Sequence, residues 1–323
     1  MIPHLLRTFL ISGKNTKTGF SVEDQTNEYL EVTLDGRIAC RYMYAYDNST
    51  PDRLHETYKP YLHVFDSAGE KLITKGAGGH FTHHRGIFIG WNKIQFNGKS
   101  YDRWHMTGGE IIHQQFLDIS ADSDGAEIVS LTNWNDENQV PMIEEIRTMS
   151  ISRAPQPFRL RIDFSAELKA LGSDVFLDGD PEHAGVQYRP ANEVVLEETT
   201  YVFPKEKADP KADLDYPWVG ETYTLYGKRY SVVEMNHPKN PQETKFSAYR
   251  DYGRFGAFFT HLIEADKTLN IAYRFLIADG EVPPTNVIQQ NWEDPPGGTP
   301  PSLYCCCALS LYRSHRSVTV PSV

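Results

Sequence analysis

Apolar and polar positions alternate with a period of two along much of the chain. In RLRIDFSAEL, residues 159–168, Leu160, Ile162, Phe164, Ala166 and Leu168 interleave with Arg159, Arg161, Asp163, Ser165 and Glu167, the pattern of a strand with one wet face. LEVTLDGRIACRY, residues 30–42, alternates Leu30, Val32 and Leu34 up to Asp35-Gly36, a dipeptide suited to the positive φ angles of a tight hairpin. IQFNGKSY repeats the device with Asn97-Gly98, and LNIAYRFLIADG ends in Asp279-Gly280. Long helical periodicity is missing. Many strands separated by Gly, Asn, Asp and Pro turns predict an all-β protein, a large antiparallel β-sandwich with few short helices. The charged, proline-broken stretch 203–218 reads as a surface loop.

Composition narrows the partners. The chain of 323 residues carries a net charge of −11, which repels phosphate backbones and argues against nucleic acid, although arginines in one cleft can reverse the local potential. No run approaches the ~20 apolar residues of a membrane-spanning helix. The opening MIPHLLRTFLISGKN reads either as a shortened export signal or as an ordinary N-terminal segment, which leaves cytoplasm and periplasm both open. Cys40 stands alone and Cys305, Cys306 and Cys307 are contiguous, so no disulfide framework is implied. The organisation expected is an N-terminal segment over 1–19, one β-sandwich catalytic or binding domain over 20–282, and an atypical Pro- and Cys-containing segment over 283–323.

Four clusters carry candidate chemistry. GHFTHHRGIFIGW, residues 79–91, sets His80, His83 and His84 before a strand; an extended backbone there would put His80 and His84 on one face and His83 on the other. A helical HxxH is opposed by Gly79 and Gly86. A zinc, manganese or iron ion on His80, His84 and a distant third ligand such as His105 is one reading, and acid–base histidines without a cofactor are the other. SYDRWHMTGGEIIHQQF places Trp104, His105 and Glu110 together, and aromatics beside carboxylate and imidazole groups suit sugar binding. DGDPEHAGVQYRP offers Asp180, Glu182, His183, Gln187, Tyr188 and Arg189. An arginine clamps a carboxylate with paired hydrogen bonds, and a tyrosine or histidine exchanges a proton. EMNHPKNP adds His237 at a turn. No GxSxG elbow, P-loop, Rossmann glycine pattern or EF-hand loop is present.

Together, YLHVFDSAGEKLITK, HHRGIFIGW, DRWH with Gly-Gly-Glu, DPEHAGVQYR and MNHPKNP resemble a bacterial family labelled methane oxygenase PmoA, over roughly residues 20–280. A looser resemblance is to the galactose mutarotase-type supersandwich, with His84, Arg85 and His183 at the matching positions. That resemblance implies a concave sugar site and groups epimerases with polysaccharide lyases and dehydratases. The expected function is therefore a lyase or dehydratase acting on uronate-containing oligosaccharides. His84 and His183 would be acid and base, Tyr188 a proton donor, and Arg85 and Arg189 the carboxylate clamp. Trp91 and Trp104 would stack on the sugar, with Glu110 and His237 lining the site. An aldose epimerase or mutarotase, and a non-catalytic carbohydrate-binding protein, are the alternatives. The sequence leaves the oligomeric state open.

Overall fold

The computed structural model describes residues 18–292; most of the N-terminal segment and the tri-cysteine stretch lie outside them. Two eight-stranded antiparallel sheets pack face to face, with a third sheet of four short strands. The first sheet runs in the order Phe20–Gln25, Tyr29–Leu34, Arg37–Met43, Tyr61–Val64, Ile87–Trp91, Ala184–Tyr188, Phe255–Phe258, Lys245–Phe246. The second runs Thr200–Val202, Trp218–Leu225, Lys228–Asn236, Thr268–Asp279, Leu160–Ala170, Pro141–Ser152, Gly125–Asn135, Ile111–Ala121. The third joins His261–Ile263, Val175–Asp178, Lys93–Phe96 and Lys99–Tyr101. The protein is the large antiparallel β-sandwich that its alternation predicts.

The turns follow the residues that make them. Asp35 and Gly36 have φ of 52° and 75°, and Asn97 and Gly98 have 49° and 73°, the paired positive values a two-residue hairpin needs. Strand Leu160–Ala170 buries Leu160, Ile162, Phe164, Ala166 and Leu168 in the core between the sheets.

Only two short α-helices occur among the described residues, Pro51–Thr57 and Thr285–Trp292. The second buries Ile288 against Phe158, Trp218 and Met235, and Trp292 Nε1 donates to the Asn236 carbonyl at 3.1 Å. The helix over residues 285–292 is thereby fastened to the second sheet. No helix among the described residues is long and apolar enough to cross a membrane.

Two middle strands of the first sheet decide what faces outward. Ile87, Ile89 and Trp91, with Ala184, Val186 and Tyr188, point into the core, so Phe88, Gly90, Gly185 and Gln187 form the outer face. Gly90 and Gly185 are directly opposite one another. A Cβ on Gly90 would lie 2.2 Å from the Arg103 carbonyl oxygen. The missing side chain lets residues 102–105 lie flat on the sheet.

Candidate functional site

The outer face of the first sheet carries a cluster of imidazoles around one indole. Trp104 is fully buried. Its ring centre lies 4.8 Å from Phe88, 5.8 Å from His84 and 6.3 Å from His183. The histidines form a chain: His84 to His83 at 4.5 Å, His83 to His105 at 4.3 Å, and His105 to His183 at 5.3 Å between ring centres. His84 and His183 therefore share one site, although a hundred residues of β-structure separate them.

Two of these rings are held by the same local device. Asp102 Oδ1 accepts from the backbone N–H groups of Trp104 and His105, while Oδ2 stands 2.8 Å from His105 Nδ1. Asp180 Oδ1 accepts from the Glu182 N–H and stands 2.9 Å from His183 Nδ1. In each case an Asx turn brings the carboxylate back onto the histidine three residues later. With Nδ1 donating to the aspartate, the neutral ring leaves Nε2 free to accept a proton. Both side chains are partly exposed, 36% for His105 and 38% for His183. Asp102 was not among the expected site residues, yet the D-x-x-H spacing in DRWH and DPEH is visible in the sequence.

His83 and His84 lie deeper and differ electrostatically. Burial, reinforced by Lys59, His105 and His183, holds His83 at about 2, and burial with His83 and Arg254 pushes His84 far below the ordinary imidazole range. Residues 80–84 form a turn, with Phe81 at φ 52° and the His84 N–H donating to the Phe81 carbonyl at 2.9 Å. The extended backbone expected there is not formed. His80 consequently meets Phe81 edge-on, 4.0 Å between ring centres, and His83 stands between His84 and His105. Among the described residues no three His, Cys, Asp or Glu side chains are grouped so as to hold a metal ion, the set His80, His84 and His105 included.

The cations expected to clamp substrate mostly hold the loops. Arg85 is buried, with Nη1 donating to the Thr82 and His84 carbonyls at 2.6 and 2.9 Å and Nη2 to the His55 carbonyl at 2.6 Å. Lys75 Nζ donates to the Gly76 and Gly78 carbonyls, and Lys59 Nζ to the Trp104 carbonyl at 2.7 Å. Arg103 gathers the Asn135, Asp102 and Gly108 carbonyls. Irregular backbone leaves carbonyls unpaired, and buried cations satisfy them here. Both terminal nitrogens of Arg85 are thus taken by the carbonyls of the histidine turn and of His55, and only Nε is left without a hydrogen-bond partner among the described residues. Arg189 donates to the Tyr252 carbonyl and lies over that ring at 4.8 Å.

Five other expected site residues are placed as follows. Tyr188 faces the core, where its hydroxyl meets that of Tyr223 and burial raises its pKa far above the usual value. Trp91 is also in the core, with Nε1 donating to the Phe259 carbonyl at 3.1 Å. Trp104 is near the histidines but fully buried, so it supports the site from beneath. His237 sits in a turn of the second sheet, its partners Lys239 and Ala272. Glu110 accepts from Gln139, which ties it to the neighbouring turn. The aromatic surface that solvent does reach is Phe81, 36% exposed, with its ring 4.7 Å from Tyr252.

Two expected outcomes arise from this geometry. Gly90→Ala pushes residues 102–105 off the sheet, destabilising the fold by about 1–3 kcal/mol and displacing His105; urea unfolding together with the ring signals of His105 checks both effects. The second concerns acid. His63, His83 and His113 are held at about 3, 2 and 4, chiefly by burial, against about 6.5 in the unfolded chain. Folded-state values below the unfolded one mean that the unfolded chain takes up protons first as pH falls. Stability is full above about 6.5 and declines toward the folded values, by at most about 1.4 kcal/mol per pH unit for a fully buried group such as His63. Buried Glu221 and Glu234, pushed by burial well above the ordinary carboxylate range, act in the opposite direction over the same window, so the histidine contribution is read as a difference: His63→Gln should gain stability relative to wild type as pH falls from 7 to 5, and a constant difference contradicts the assignment.

Comparison with known proteins places the chain as follows. No curated protein matches it. It is similar to a heparan sulfate lyase HepC mutant from Pedobacter heparinus, with 8% identity over 81% of this chain and 37% of that one, at a TM-score of 0.42. It is also similar to a beta-arabinopyranosidase, with 11% identity over 68% of this chain and 37% of that one and a TM-score of 0.36. For heparinase III the values are 8%, 80%, 35% and 0.32. The chain spans little more than a third of the length of each of these proteins. Over residues 29–293 it matches the model of the family of unknown function DUF6807, and with most of its length covered, the chain belongs to that family.

Proposed function

We propose that this protein is a carbohydrate-active enzyme of lyase or dehydratase type acting on uronate-containing oligosaccharides. The observation that carries the reading is the pair of aspartate-held, half-exposed imidazoles, His105 and His183, 5.3 Å apart over Trp104. In an elimination, one neutral ring takes at Nε2 the proton next to the uronate carboxyl, the bond from the neighbouring carbon to its oxygen breaks, and the other ring, entering the step protonated on both nitrogens, gives its Nε2 proton to that oxygen; exchange with water then restores both rings. The Arg254 charge that helps hold His84 neutral also favours the enolate-like charge that develops in the substrate. Phe81 and Tyr252 offer the apolar face on which a sugar ring stacks. His84 and Arg85 shape the floor and its turn. The reaction requires no cofactor in this reading.

Incubation with a panel of uronate oligosaccharides, followed by ultraviolet absorbance and mass spectrometry, tests it. A new unsaturated uronyl end is expected. Exchange at a sugar carbon with no change of mass and no new absorbance would instead identify an epimerase. Glycan binding without either would identify a binding protein.

A further inference from the structure

One guanidinium near the site is used differently from the rest. Arg85, Arg103 and Arg189 hold backbone carbonyls, but Arg254, fully buried, is fixed only through Nη1, which donates to Gln187 Oε1 and Ser247 Oγ at 2.8 Å each. Its Nε and Nη2 are buried and have no hydrogen-bond partner among the described residues. Those two N–H groups form one edge of the planar fork, the edge that matches the two oxygens of a carboxylate. Arg254 lies 6.0 Å from the Trp104 ring, the same ring that His84 and His183 approach. Arg189 Nε is likewise unpartnered.

The protein supplies little negative charge to this edge. Glu182 is paired with Arg250. Glu221 is buried beside Tyr201 and is driven by burial well above the ordinary carboxylate range despite the nearby charges of Arg189 and Arg254. A buried, unpaired guanidinium edge is costly unless an anion completes it. We propose that the free Nε/Nη2 edge of Arg254 is the receptor for the acidic group of the substrate, making Arg254 the residue that selects a uronate over the corresponding neutral sugar. This rests on the sugar reading above but assigns Arg254 a role that neither the histidines nor Arg85 fill. Entry requires the rim to part, and the rim's half-exposed aromatic pair, Phe81 and Tyr252, comes from the two loops that flank His84 and Arg254.

Calorimetric titration of the intact protein with D-glucuronate, D-glucose and inorganic sulfate tests the assignment. Wild type should prefer glucuronate to glucose by roughly 10- to 100-fold, the value of a charge-assisted pair. Arg254→Lys keeps the charge but not the fork and should lose most of that preference, as should Arg254→Met; Tyr188→Phe, whose hydroxyl lies in the core against Tyr223, should keep it. An unchanged preference in folded Arg254→Lys, equal binding of both sugars by wild type, or Arg254-dependent binding of sulfate but not glucuronate overturns the proposal. The two readings fail separately. Arg254-dependent glucuronate binding without turnover of any uronate sinks the acid–base chemistry alone, whereas turnover with an unchanged KM in Arg254→Lys sinks the receptor alone.

Discussion

Alanine at His183 is expected to lower turnover of a uronate oligosaccharide about 10²- to 10⁴-fold, the usual contribution of a positioned acid or base, with little effect on thermal unfolding. The ring is 38% exposed, so its removal opens no core cavity. Asp180→Asn is a sharper version of the same experiment. It preserves the turn but no longer orients the ring with a charged acceptor 2.9 Å from Nδ1, and turnover should fall while KM changes little. Tyr188→Phe is the control, because that hydroxyl meets Tyr223 inside the core; it should leave turnover unchanged. Full turnover by His183→Ala would remove His183 from the chemistry.

Glu145→Ala should be the most damaging single change to stability, by about 3–5 kcal/mol. Glu145 is fully buried, with Oε1 2.7 Å from Arg147 Nε, Oε2 2.9 Å from Arg147 Nη2, and Oε2 accepting from Trp134 Nε1 at 2.7 Å. Arg147 Nη1 also donates to the Pro60 carbonyl at 3.2 Å, which links the second sheet to the segment entering a strand of the first. Alanine leaves a buried guanidinium and an indole N–H without their acceptor. Replacing both charged partners, Glu145→Leu with Arg147→Met, leaves no orphaned charge and should recover much of the loss. Urea unfolding midpoints at constant slope distinguish the two variants. Equal midpoints for wild type and Glu145→Ala would contradict this account of the core.

The fold was legible because its rules are local. Alternation in residues 159–168 and the Asp35-Gly36 and Asn97-Gly98 turns depend on neighbours in sequence, and the structure forms them as read. The site was legible in part. The two D-x-x-H segments announce that a carboxylate can fold back on an imidazole, and the structure brings both to one indole. What remained hidden depends on phase and distance. Ile87–Trp91 is buried on both faces, so its composition does not reveal that Trp91 points inward while Gly90 lies beneath Arg103. Val186 and Tyr188 share a face, as the period of two in a strand requires, but which face meets the core is settled only by the opposing sheet. Arg85 resembles a substrate clamp in sequence because its carbonyl partners come from a turn and from His55, thirty residues away. Arg254 gave no signal at all, since Gln187 lies 67 positions from it.

At the centre of the account, His105 and His183 move protons on one sugar. The most direct measurement is the rate of ultraviolet absorbance on 4-linked uronate oligosaccharides for wild type and for the double variant His105→Ala/His183→Ala. Absorbance should rise with wild type and stay flat with the double variant while its far-ultraviolet spectrum remains native. Equal rates from the two proteins would contradict the account.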